Sequence, residues 1–169
     1  MKQYSAVSDD VIGHVEAIRA KHHIHLFGVT IGLLFVFSDE SEQVLEHEGY
    51  RAAAVAKIVG LRERAAGMAD ALIVFDRYVW SGLSSKAKDA LVDHELTHIV
   101  PVIKEDTGAP KHDSLGRFKL RMRKHDHQIG WFDDVVNRHA EHSVEMQQVA
   151  EILAGNGQMF FDFARAEAA

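Results

Sequence analysis

Three residues in the stretch LVDHELTHIV, positions 91–100, carry a chemistry that the rest of the chain would have to position: His94, Glu95 and His98, in the order H-E-x-x-H. On a helix, residues four apart stand one turn above each other. His94 and His98 then project from one face, and two imidazoles can grip one zinc ion. Glu95 flanks that face, where a carboxylate can take a proton from a water whose pKa the zinc lowers toward about 7 and pass it to a leaving amine. The bland alternative is a pair of core histidines in a chain that has twelve. The local pattern favours zinc. Ala87, Ala90, Leu91, His94 and His98 form an inner stripe at helical spacing, so both imidazoles turn inward, where an unpartnered pair is costly to bury.

A catalytic zinc commonly has three protein ligands and one open position. The chain has no cysteine, so the third ligand must be His, Asp or Glu. The metzincin spacing fails, because Pro101 and Lys104 stand where its Gly and third His belong. A glutamate from a later helix is one solution, and Glu141 and Glu145 in RHAEHSVEMQ qualify. His125 and His127 in RKHDHQIGWF are the other, with Asp126 able to support a ligating imidazole. His112 lies in the loop PKHD, which would hold a ligand less well. These residues alone leave His125, His127, Glu141 and Glu145 open, with His125 first.

Several elements are needed to bring such residues together. SDDVIGHVEAIRAKHH reads as a helix capped by Ser8, with Val11, Ile12, Val15 and Ile18 on its apolar face. Leu26 to Phe37 alternates large and small residues, the pattern of a buried strand, with a buried helix as the rival at this length. RAAAVAKIVGLRERAAG fits helix or strand, and ADALIVFDRYVW reads as a strand as far as Trp80. The motif helix follows in SGLSSKAKDALVDHELTHIV, with Ser84 or Ser85 as cap and Pro101 as stop. KEDTGAPKHDSLG is a loop. GRFKLRMRK alternates as a half-exposed strand, with Arg117, Lys119, Arg121 and Arg123 on its outer face. One long or two successive helices follow, ended by Gly155 and Gly157.

Composition sets the frame. A chain of 169 residues with 47% hydrophobic and 26% charged residues fits one soluble domain, 1–169, with a real core. The net charge of −6 argues against a wholesale nucleic-acid binder but leaves room for a local basic patch. The N-terminus lacks the apolar stretch of a secretory signal, and IHLFGVTIGLLFVF falls short of the roughly 20 residues a membrane span needs. The expectation is a cytoplasmic protein. His22, His23 and His25 could form a second metal site, although ending the first helix explains them better. Phe160, Phe161 and Phe163 are expected to dock on the core or to lie in a tail.

WSGLSSKAKDALVDHELTHI resembles the signature of the phage metallopeptidase family, in which a tryptophan and a short turn lead into ALLDHELCH. GRFKLRMRKHDHQIGWFDDVVNRH resembles its second block, and IGLLFVFSD and DALIVFDRYVW its first strands. The likeness runs from about Leu26 to His139. It implies an α+β, zincin-like domain, broadly similar to SprT-type minigluzincins, with a small, mostly antiparallel sheet against the motif helix and helices at either end. It implies a zinc-dependent peptidase of protein or peptide substrates in a bacterial or phage-infected cell. His94, His98 and His125 would be the metal ligands and Glu95 the general base. Because SprT-type proteases act on DNA-bound proteins, the likeness also offers the cationic stripe a nucleic-acid or acidic partner, although a solvated strand face whose charges discourage edge aggregation explains it better. Thr97 stands where the family often has Cys, and His127 and Gln128 stand where it often has an apolar residue and Glu. A zinc-stabilised phage or nucleic-acid-associated binding protein is the alternative.

Overall fold

In the computed structural model, which describes residues 1–126 and 131–154, a short strand β1 (Gln3–Ala6) precedes helix α1 (Asp9–His22). Asp9 and Asp10 open α1 and Val11, Val15 and Ile18 are its buried face, whereas Ile12 falls outside that face and is exposed. Ser8 occupies the cap position without a side-chain cap bond. Its carbonyl accepts from the Val11 and Ile12 amides instead.

The apolar run that follows is only partly a strand. Ile24–Leu26 is a 3-10 turn and β2 covers Ile31–Phe37. Between them Gly28 takes φ +89°, a conformation that side-chain-bearing residues resist. Arg19 of α1 fixes the turn by donating to the carbonyls of Leu26 and Val29. A small hairpin, β3 (Glu46–His47) and β4 (Tyr50–Arg51), leads into β5 (Ala54–Ile58). The ambiguous alanine-rich segment is therefore both things in turn: β5, then the short helix α2 (Leu61–Ala65).

Strand β6 (Ala71–Asp76) stops earlier than its hydrophobicity predicts, and Tyr78, Val79 and Trp80 belong to helix α3 (Arg77–Gly82). Asp76 makes the switch, because its carboxylate accepts from the Val79 amide and caps α3. Four strands form one sheet in the order β1-β2-β6-β5. The β2–β6 pair is parallel and the outer two pairs are antiparallel.

Helix α4 (Ser85–Thr97) carries the motif, and Ser84 caps it by accepting from the Ala87 amide. It ends before Pro101, which lies in strand β7 (Ile99–Pro101), paired antiparallel with β8 (Leu120–Met122). The C-terminal segment is two helices, α5 (Asp133–His139) and α6 (Val144–Leu153), with a 3-10 turn between them. One cluster of buried apolar residues runs from Val11 on α1 through Phe35, Ile73, Phe75, Leu91 and Leu96 to Leu120. The chain is thus α+β, with small, mostly antiparallel sheets beside the motif helix. No helix among the described residues is long and apolar enough to cross a membrane.

Candidate metal centre

Every residue from Ala90 to Thr97 is buried. His94 and Glu95 lie in the last turns of α4, and His98 is its C-cap. The chain then enters β7 directly, and the β7–β8 ladder does the rest of the positioning. It pairs Ile99 with Met122 and brings Arg123 against His98, whose carbonyl accepts from the Arg123 amide at 2.7 Å. Two residues further on, the chain delivers His125.

His94, His98 and His125 each offer one ring nitrogen, and these atoms all lie within 4.8 Å of one another. The Nε2 atoms of His94 and His125 are 3.2 Å apart. Two nitrogens of a tetrahedral zinc site, each about 2.0–2.1 Å from the ion, are about 3.3 Å apart, so this pair has the spacing of a shared metal. The fully buried Phe132 ring floors the group, with its centroid 5.0 Å from His94, 4.8 Å from His98 and 5.0 Å from His125.

The outer nitrogens of the motif histidines are both engaged. His94 Nδ1 stands 2.9 Å from Glu145 Oε1, and His98 Nδ1 stands 2.8 Å from the Arg123 carbonyl. An acceptor at each Nδ1 places the hydrogen there and leaves Nε2 with its lone pair turned inward, the arrangement a metal needs. The donor set therefore fits a divalent ion: three imidazoles, no thiolate, and outer partners that fix two of the three rings.

Burial governs the charges. It pushes the Glu95 carboxyl above the usual carboxylate range, against the pull of His94 and a hydrogen bond from the backbone of Ala56 in β5. Burial also lowers His98 to about 4, helped by His94 and His125, and holds His125 down in the same direction. His94 differs. Burial disfavours its charged form, but the bond to Glu145 and the nearby Glu95 carboxylate outweigh that and raise it.

The other sequence candidates separate cleanly. Glu145 is on the outer side of His94, and Glu141 is exposed beside His142 in the 3-10 turn. His112 is exposed and packs on Phe118. His127, Phe160, Phe161, Phe163 and the Gly155–Gly157 pair lie outside the described residues. Asp126 accepts from Arg123 and from the Asp133 amide. His22 ends α1, while His23 is buried with Nε2 2.7 Å from Asp93. Among the described residues, His22, His23 and His25 form no metal-holding group. Of the cationic stripe, Arg117 binds Asp70 at 2.7 Å and Arg123 binds Asp126 at 2.8 Å, while Lys119 and Arg121 face solvent.

Two features escaped the sequence reading. Asp93, beside His94, is fully buried and takes bonds from His23, from Arg138 at 2.6 Å and from His139 at 2.8 Å. Burial opposes its charge, but these donors outweigh burial and hold its carboxyl far below the ordinary range. This network ties α4 to α1 and α5. The second is His47 on the β3–β4 hairpin, which acts electrostatically on Glu95, His98 and His125. The acid before the motif was a visible signal for the first, whereas no local pattern marked His47.

No curated protein and no solved structure gives a match to this chain. A family profile does, over residues 3–154, spanning the sheet, the motif helix and both C-terminal helices. With three imidazoles converging on one point within the matched region, the chain belongs to the family described as putative phage metallopeptidase.

Proposed function

We propose that this chain is a zinc-dependent peptidase with a zincin-like domain, in which His94, His98 and His125 hold the metal and Glu95 is the general base. The observation that carries the reading is the pairing of outer acceptors with converging nitrogens: Glu145 and the Arg123 carbonyl engage Nδ1 of the motif imidazoles, His94 Nε2 meets His125 Nε2 at 3.2 Å, and one nitrogen from each of the three rings lies within 4.8 Å of the others. Zinc is favoured because three nitrogen donors with an open fourth position suit it, whereas magnesium and calcium prefer oxygen. When bound, the ion would polarise the scissile carbonyl and acidify a water.

The protein residues supply the remaining steps. Glu95, raised by burial, has the altered affinity that a base needs when it takes a proton near neutral pH and returns it to the leaving amine. The backbone of Ala56, in the edge strand β5, favours the charged form of Glu95 against burial. The fully buried Phe132 ring packs against all three imidazoles, of which His94 is buried and His125 is exposed.

Glu95→Gln tests the reading. Zinc content, measured by metal analysis, should be unchanged, because the carboxylate is not a ligand. Hydrolysis of a peptide library should fall by about 10²–10⁴-fold. Wild-type protein that carries zinc and cleaves nothing sinks the peptidase reading, and so does a Gln variant of full activity.

A further inference from the structure

The only fully buried residue of α6 is a carboxylate. Glu145 is 1% exposed, while the apolar Val144, Met146, Val149 and Ile152 are half-buried and Leu153 is 82% exposed. A helix ordinarily docks through its apolar stripe; here Val144 packs against the core, but the most deeply buried side chain is a carboxylate. Ser143 sets the position. It is fully buried, caps α6 by accepting from the Met146 amide, and so places Glu145 in the first turn against His94.

Glu145 Oε1 meets His94 Nδ1 at 2.9 Å and the Phe132 amide at 3.3 Å. Its Oε2 is buried with no hydrogen-bond partner among the described residues. A buried carboxylate held by an imidazole and an amide costs several kcal/mol unless positive charge is close. Arg138 is within electrostatic range, but its guanidinium is bonded twice to Asp93, at 2.6 Å each. Positive charge on the inner nitrogen of His94, whether a proton or a metal ion brings it, relieves the cost through the shared ring.

We propose that Glu145 is a positioning residue that couples the docking of α6 to the metal. The carboxylate holds His94 with Nε2 inward, and a metal on Nε2 tightens the grip of Glu145 and of the helix that carries it. The inference rests on the reading of His94, His98 and His125 as ligands, and not on peptide hydrolysis. Such coupling is reciprocal: whatever α6 adds to metal affinity, the metal adds to α6.

The test uses the full chain as wild type, Glu145→Gln and Glu145→Ala. Zinc affinity is measured against a competing chelator. Melting and backbone hydrogen exchange are followed with and without Zn²⁺. Affinity should fall about 10–100-fold in the Ala variant and by less in the Gln variant, which keeps an acceptor oxygen. Zinc should slow exchange at residues 146–153 in wild type but not in the Ala variant. It should also raise the melting temperature of both variants by less than it does for wild type. A purely structural carboxylate would lower the melting temperature equally with and without zinc and leave affinity unchanged. That result overturns the proposal, as does exchange in α6 that ignores the metal. If the Ala variant does not fold, the Gln variant decides by the same readouts. Wild type that binds zinc and hydrolyses nothing refutes the peptidase reading and leaves the coupling standing; wild type that binds no zinc refutes both.

Discussion

Burial makes His98 a poor base and a ready ligand. Its pKa of about 4, against an ordinary 6.5, keeps the ring neutral wherever a metal would be offered. The same shift has a consequence for the metal-free protein. A histidine lowered in the folded state stabilises the fold above its unfolded pKa, and that contribution is lost as pH falls toward the folded value. Relative to a His98→Gln variant, chelated wild type should therefore lose stability between about pH 6.5 and 4. Urea midpoints measured across that window check it, and parallel curves would refute it. His94 is raised, so its contribution has the opposite sign and fades only as pH rises through its folded value. At this scale the sequence was informative where spacing is local. His94, Glu95 and His98 follow from helical geometry alone. His125 was one of four choices on the residues, since its approach depends on a strand ladder between distant segments. The sequence offers Glu145 as a ligand because a glutamate from a later helix can complete such a site; which nitrogen of His94 it faces is a matter of helix placement that no pattern encodes.

Among the elements, the junction at Asp76 decides most. Its carboxylate accepts from the amides of Val79, Val44 and Leu45, at 3.1, 2.7 and 2.9 Å, with the side chain fully buried. One residue thus ends β6, starts α3 and anchors the segment that leads to the His47 hairpin. Asp76→Ala leaves three amides without their acceptor and should cost at least about 2 kcal/mol. Asp76→Asn, which keeps one acceptor oxygen, should cost less. Equilibrium urea unfolding separates the two. The sequence reading ran the strand on to Trp80 because Tyr78, Val79 and Trp80 are strand formers, and a cap whose acid also serves a distant loop overrode that propensity. The same kind of override shortened β2, where Gly28 and the Arg19 bonds built a turn inside an apolar run. Helix α4 matches its expected bounds closely because its Ser84 cap and its inner stripe agree locally.

For the molecule as a whole, a metal held as proposed would become part of the stability. An ion that binds only the folded chain stabilises it by about 2.7 kcal/mol at a hundred times its dissociation constant. Zinc should therefore raise the melting temperature in a concentration-dependent way, and a chelator should reverse it; calorimetry with and without EDTA measures both. The α+β class was legible from the alternation of apolar periods along the chain. The sheet order β1-β2-β6-β5, with its one parallel pair, was not, because pairing partners are chosen by the shared core and not by neighbours in sequence. The β7–β8 ladder has one more implication. Side chains alternate faces along a strand, so a slip of one residue in this pairing turns every side chain of β8 over. Arg123 would then no longer meet His98, and His125 would leave its companions. A metal held by these three imidazoles, as proposed, would then act as a proofreader of assembly: only chains paired in the correct register could keep the ion, and the ion would in turn hold that register.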